Sequence, residues 1–186
     1  MNSMSKYYKD DCDPCKNGRK DYYDDYDKHY KKEKDCQAIV KCSCPSSSTI
    51  PIGALAPTTF TLASLNLNTA KLKNPCVKLE FASNIIVAGT LTAGTLSIQV
   101  FKQCGRQLTP TPIGTAWTLS PLTVDGTAGS ATTFSFFVCD CDCGSCFDDC
   151  CTYTVVATPT VAPVGSAISI NNSTLGAIAA CEEKCY

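Results

Sequence analysis

Val77-Lys78-Leu79-Glu80-Phe81-Ala82 alternates apolar and polar side chains residue by residue. Period two puts Val77, Leu79 and Phe81 on one face of an extended strand and Lys78, Glu80 and Ala82 on the other. One face then needs a core and the other tolerates water. Ile85-Ile86-Val87 continues the run.

The same period recurs on both sides of this stretch. Phe60 and Leu62 alternate with Thr59, Thr61 and Ala63, then Leu65 and Leu67 take the opposite phase. A bulge near Ala63-Ser64 accounts for the change. Leu96, Ile98 and Val100 alternate with Ser97, Gln99 and Phe101, and Ala116-Trp117-Thr118-Leu119 is a weaker strand. Phe134, Phe136 and Val138 alternate with Ser135, Phe137 and Cys139, with both faces apolar enough to be buried. Tyr153, Val155 and Ala157, then Ala167-Ile168-Ser169-Ile170 and Leu175 to Ala180, complete the set. Residues 177–184 also suit a short helix, because Ala and Glu favour one. Turn residues separate the runs: Asn74-Pro75, Gly89, Thr109-Pro110-Thr111-Pro112, Asp125-Gly126, Gly144-Ser145, Pro159, Pro163 and Asn171-Asn172. Eight or nine short strands without a convincing helix predict an all-β antiparallel sandwich. A jelly roll is the first expectation and an immunoglobulin-like sandwich the second.

Charge divides the 186 residues in two. Residues 1–44 hold 19 of the 33 charged side chains and six of the eight tyrosines. With few aliphatics before Ala38-Ile39-Val40, that stretch cannot bury enough apolar area to offset its ordering entropy. We therefore expect an extended N-terminal arm over 1–44 and the sandwich over 45–186, with Cys42-Ser43-Cys44-Pro45-Ser46-Ser47-Ser48 at the junction. A net charge of −1 offers no polycation for nucleic acid. No run of 18 apolar residues predicts a membrane span. Met1-Asn2-Ser3-Met4-Ser5-Lys6-Tyr7-Tyr8 lacks the apolar core of a secretory signal.

Catalytic patterns are sparse. His29, the only histidine, lies in the arm, far in sequence from any nucleophile of the sandwich. Gly89-Thr90-Leu91-Thr92-Ala93-Gly94 ends in no lysine, so it is not a phosphate loop. Asp148-Asp149 reads as solvated. We expect no enzyme activity and no cofactor.

Cysteine carries the remaining chemistry. The chain has 15, and six fall in the run Cys139, Cys141, Cys143, Cys146, Cys150 and Cys151. The rest are Cys12, Cys15, Cys36, Cys42, Cys44, Cys76, Cys104, Cys181 and Cys185. An odd number leaves at least one thiol without a partner in its own chain. Cys12-Asp13-Pro14-Cys15 and Cys143-Gly144-Ser145-Cys146 have the spacing of zinc knuckles, so a metal site on the run is an alternative to disulfides. On a strand, Cys139, Cys141 and Cys143 share a face but stand nearly 7 Å apart, beyond disulfide reach of one another. Their partners are expected across a hairpin, at Cys146, Cys150 and Cys151, or on another molecule. A bond between adjacent Cys150 and Cys151 would be strained, so they should pair separately. Cys76 and Cys104 at strand ends also suit buried thiols.

The stretch Asp21-Tyr22-Tyr23-Asp24-Asp25-Tyr26-Asp27-Lys28-His29-Tyr30-Lys31-Lys32 is similar to the Tyr/Lys/Asp/His-rich repeats of spore coat proteins. The layout of a cysteine-bearing arm before a Thr-rich β-domain resembles the Ena pilins, subunits of endospore appendages. Residues 42–180 also resemble a clostridial-type spore-surface family with a Cys-rich β-domain. The resemblance implies a jelly-roll subunit that polymerises head-to-tail with copies of itself on the endospore surface. It also implies other coat proteins as neighbours. Neighbours would join by sheet augmentation. Cys12 and Cys15 match the connector cysteines, and Cys104 and Cys139 are the candidate acceptors. Such proteins reach the outside by lysis of the mother cell, which removes the conflict between abundant cysteine and a reducing cytosol. A metal-binding coat protein and an adhesin using Trp117 are the alternative readings.

Overall fold

A computed structural model describes residues 38–87, 89–91, 93–105, 107–119, 129–141 and 150–181. The expectations for residues 1–37, including His29, Cys12, Cys15 and Cys36, lie outside these residues. So do those for Asp125-Gly126, Cys143, Gly144-Ser145, Cys146, Asp148-Asp149 and Cys185.

Nine strands follow in order: β1 (Ile39–Cys42), β2 (Ser46–Ile50), β3 (Phe60–Asn68), β4 (Pro75–Val87), β5 (Ala93–Cys104), β6 (Thr111–Leu119), β7 (Ser130–Asp140), β8 (Cys150–Val164) and β9 (Ile168–Cys181). Every described pairing is antiparallel. Sheet one runs β1-β9-β4-β7, with β2 following β1 along the same side of β9, and sheet two runs β3-β8-β5-β6. Strand β2 pairs β9 and β4 pairs β7 in sheet one, while β3 pairs β8 and β5 pairs β6 in sheet two. The chain is thus one long antiparallel ribbon, first strand against last, rolled until β4 meets β9 and β5 meets β8. That is the jelly roll expected from the strand count.

Period two builds the core. Leu79, Phe81, Ile85 and Val87 of β4, Leu96, Ile98 and Val100 of β5, Tyr153, Val155 and Ala157 of β8, and Ile168, Ile170, Leu175 and Ala177 of β9 are all buried between the sheets. The phase change in β3 is real: its register with β8 shifts between Thr61 and Ala63, so Leu62 and Ala63 are both buried. A second irregularity lies between Ala82 and Asn84, opposite Asn172, whose φ of 53° is left-handed. There the buried hydroxyls of Ser83 and Ser173 have no partner among the described residues. Such a group costs about 1–3 kcal/mol.

Three expectations are corrected. Residues 177–181 continue β9 as strand, because Ala177 and Ala179 lie in the alternating row buried against β4 and packing outweighs helix propensity. The sandwich includes β1, inside the stretch assigned to the arm, since Ile39 packs on the core and β1 pairs β9 from Ile39 to Cys42. The outer face of β7 is not buried: Phe137 is 64% exposed.

The two sides of the sandwich are closed differently. Beside β2, the Ser46 hydroxyl donates to the Leu62 carbonyl and Ser48 Oγ donates to Thr61 O at 2.8 Å, tying β2 to β3. On the opposite side, Trp117 of β6 stacks on Phe136 of β7 with centroids 4.0 Å apart. Gly114, at φ 65°, lets β6 bend there, and a Cβ would sit 3.2 Å from Val138.

Phe81, on inner strand β4 of sheet one, is 1% exposed. Phe81→Ala is expected to lower the unfolding free energy by about 3–5 kcal/mol in urea titration. A loss below about 1 kcal/mol would mean that the sheets do not pack as described.

Candidate functional site

Strand parity sorts the cysteines. Cys104 shares the inward phase of Ile98 and Val100, and Cys151 that of Tyr153 and Val155. Register sets Cys104 opposite Cys151, and the two are bonded with Cα atoms 4.0 Å apart. Cys76 shares the outward phase of Lys78 and Glu80, and Cys141 that of Cys139. They are bonded at 4.1 Å, one step beyond the Val77–Asp140 pair. Cys44, Cys150 and Cys181 are disulfide-bonded as well. Cys150 and Cys151 therefore do not bond to each other, as expected. Closing segments with separations of 65 and 47 residues stabilises the fold by about 4 kcal/mol each on the chain-entropy account.

Cys139 and Cys42 are the free cysteines among the described residues, and both are exposed. They lie on one surface, the outer face of sheet one. Cys139 stands opposite Lys78 of β4, Lys78 opposite Ile178 of β9, and Ile178 opposite Val40 of β1. One row along, Phe137, Glu80, Gly176 and Cys42 are matched in the same way. Val40 is 71% exposed and Ile178 43%. A shallow groove of about 400 Å³ lies over Gly176, between Glu80, Phe137 and Thr174. The thiols sit on the two outermost strands, three strand spacings apart, or roughly 14 Å. That is at least twice the reach of a disulfide, so they cannot pair within one molecule. Between them Lys78 Nζ donates to Glu80 Oε1 at 2.5 Å and sits 5.2 Å from the Phe137 ring centre. The hydrogen bond and charge of Glu80 hold the Lys78 ammonium above its ordinary pKa, with a smaller contribution from Cys139.

The outer face of sheet two is different. Ser64, Asn66, Thr152, Thr154, Ser97 and Thr158 line it beside Phe101 and Val156, with Thr152 Oγ1 donating to Asn66 Oδ1 at 2.6 Å.

Two expectations about the cysteine run are corrected. Its flanking strands do not form a hairpin: β7 belongs to sheet one and β8 to sheet two. Cys141 accordingly pairs back to β4, and Cys151 pairs to β5. Cys104, expected as an acceptor for another molecule, is 6% exposed and already bonded, so it is not a free thiol here. The run instead begins at a clasp between the sheets. Asp140 turns inward, where Lys102 Nζ of β5 lies 2.8 Å away and Tyr153 Oη of β8 donates at 2.8 Å. Sequence reasoning missed Asp140. Its inward phase with Phe136 and Val138 was the available signal. Trp117, the candidate sugar platform, is held against Phe136. Cys42, expected among the disulfide candidates at the junction, is instead one of the two free, exposed thiols among the described residues.

These features define a cysteine-rich jelly-roll domain whose two free thiols among the described residues lie exposed on one sheet face. Residues 36–180 match the model of a family described as a domain of unknown function (DUF4489), and the chain belongs to that family. No curated protein matches it. Among solved structures, one of the infectious bursal disease virus Gx strain aligns over 78% of this chain at 9% identity and TM-score 0.38. A structure of carbohydrate-binding modules from the β-sandwich superfamily aligns over 73% at 7% identity and TM-score 0.28. This chain spans 37% and 55% of those two.

Burial separates the two ion pairs. Asp140 and Lys102 side chains are 12% and 21% exposed, whereas Glu80 and Lys78 are 55% and 44% exposed. Asp140→Ala should cost roughly 2 kcal/mol, because it strands a half-desolvated ammonium, and Glu80→Ala less than about 0.5 kcal/mol. Equal losses in thermal unfolding would contradict the clasp. Iodoacetamide should label Cys42 and Cys139 on the native chain, and Cys104 and Cys151 only after reduction. Labelling of Cys104 without reductant would contradict its pairing.

Proposed function

We infer that this chain is a non-enzymatic structural subunit of a disulfide-cross-linked assembly, a fibre or layer on the endospore surface. One observation carries this reading. The folded domain presents two exposed free thiols, Cys42 and Cys139, on a face where they cannot reach each other. Each is therefore available to a second molecule.

Other features support it. The open strand edges of a sandwich are templates for pairing with other chains. The arm over residues 1–37 brings Cys12, Cys15 and Cys36, and fully extended it spans roughly 120 Å, several times the width of a domain. In sequence it leads into β1, the strand that carries Cys42. The spore setting rests on the resemblance of the Tyr/Lys/Asp-rich arm and the overall layout to spore-surface subunits. A thiolate metal site on the cysteine run is less well supported, since Cys141, Cys150 and Cys151 are bonded as disulfides.

Electrophoresis of the purified assembly tests the reading. A ladder of multimers is expected without reductant, collapsing to monomer with it. Monomer alone under oxidising conditions rejects cross-linking. Removing residues 1–15 is expected to thin the ladder while the domain keeps its thermal midpoint.

A further inference from the structure

We propose that the groove over Gly176, on the outer face of sheet one, binds a pyranose unit of a neutral saccharide. This adds a binding activity to the structural role above and does not depend on it.

Register builds the hollow. Two rows of outward residues cross β7, β4 and β9 side by side: Phe137, Glu80 and Gly176 in one, Ser135, Ala82 and Thr174 in the other. Gly176 and Ala82 are the low points, and the four larger side chains stand around them. The space, about 400 Å³, is at the lower end of the range for small-ligand sites. A Cβ added at Gly176 would lie 3.9 Å from Cys42 Sγ, so Cys42, next in the row, borders the groove.

The aromatic wall is accessible. Phe137 is the one exposed aromatic side chain among the described residues. Trp117 is stacked on Phe136 and offers no such face.

Charge narrows the ligand. Lys78, opposite Cys139, holds its ammonium 5.2 Å from the Phe137 ring centre and donates to Glu80 Oε1. The groove lies on the other side of Phe137, towards Ser135. Lys78 and Glu80 are neutral as a pair, and no other charged side chain lines the groove. A cation would have to displace Lys78, and an anion would face the carboxylate. A wholly apolar group would desolvate Glu80 and two hydroxyls without replacing their hydrogen bonds, which is costly. A pyranose meets each requirement. Its C–H face packs on the electron-rich ring of Phe137. Its hydroxyls donate to the second oxygen of Glu80 and exchange hydrogen bonds with Ser135 and Thr174. Thr174 Oγ1 donates to Asn172 O at 3.3 Å and keeps its lone pairs for a ligand hydroxyl.

Saturation-transfer NMR on the full chain, with cellobiose, chitobiose, maltose and lactose as probes, tests the site. At least one is expected to bind with a Kd on the order of 1 mM, the scale for about a dozen contacting heavy atoms. Phe137→Ala and Gly176→Val should each weaken that binding about tenfold or more. Their thermal midpoints should be unchanged, since both positions lie on the outer face. Phe101→Ala, on the outer face of sheet two, should leave binding as it is. Bound saccharide should slow iodoacetamide labelling of Cys42 and not that of Cys139. No binding of any probe at about 10 mM overturns the proposal. So does binding that survives both Phe137→Ala and Gly176→Val, or protection of Cys139 in place of Cys42. Preference for trilysine, triglutamate or N-acetyltyrosine amide over all four saccharides overturns the choice of ligand.

Discussion

The two-residue alternation of a β-strand, locked by a core on one side only, governs the whole molecule. Leu79 and Phe81 must face the opposite sheet, so Lys78 and Glu80 must face out. A slip of one residue would expose the first pair and bury the second, at a cost of several kcal/mol per strand. Every cysteine on a strand inherits its environment from that constraint. Cys104 and Cys151 fall on the inward phase and become a sealed cross-strand bond. Cys42 and Cys139 fall on the outward phase and stay accessible.

The rolled ribbon then decides which outward residues are neighbours. Strands β1 and β7 are far apart in sequence but belong to the same sheet, at its two ends. Their thiols therefore share a face without meeting. On the inner side, the inward phase of β7 sends Asp140 between Lys102 and Tyr153 of the other sheet. One turn of the alternation thus separates a residue that fastens the sandwich from a neighbour, Cys139, that is open to solvent. The same division distinguishes the two outer surfaces. Among the described residues, the outer face of sheet two carries Ser, Thr and Asn side chains together with Phe101 and Val156, whereas that of sheet one carries Phe137, Ile178, the Lys78–Glu80 ion pair and the thiols.

The cysteines have separate fates. Burial and pairing withhold Cys104–Cys151 from exchange, whereas outer-strand positions leave Cys42 and Cys139 exposed. The hydroxyls of Ser83 and Ser173, without partners among the described residues, show that the fold tolerates some cost at its bulge. The long-range disulfides are of the size to offset that cost.

Much of this was legible in the residues. Alternation in Val77–Ala82 and its counterparts set the fold class, and the phase change after Leu62 announced the β3 bulge. The odd cysteine number by itself implied at least one thiol without a partner in its own chain. Phase could also have sorted Cys104 from Cys139, because both lie at the ends of alternating runs. Pairing was not legible, since alternation says which face a residue takes and nothing about which strand lies beside it. The run from Cys139 to Cys151 therefore suggested a hairpin, although its two ends enter different sheets. Nor did local pattern reveal that Ile39–Cys42 joins β9, because a four-residue strand has too few alternations to stand out from an arm. The sequence by itself determined the faces; only the tertiary structure decided the neighbours, because strand adjacency is set by burying all the apolar faces at once.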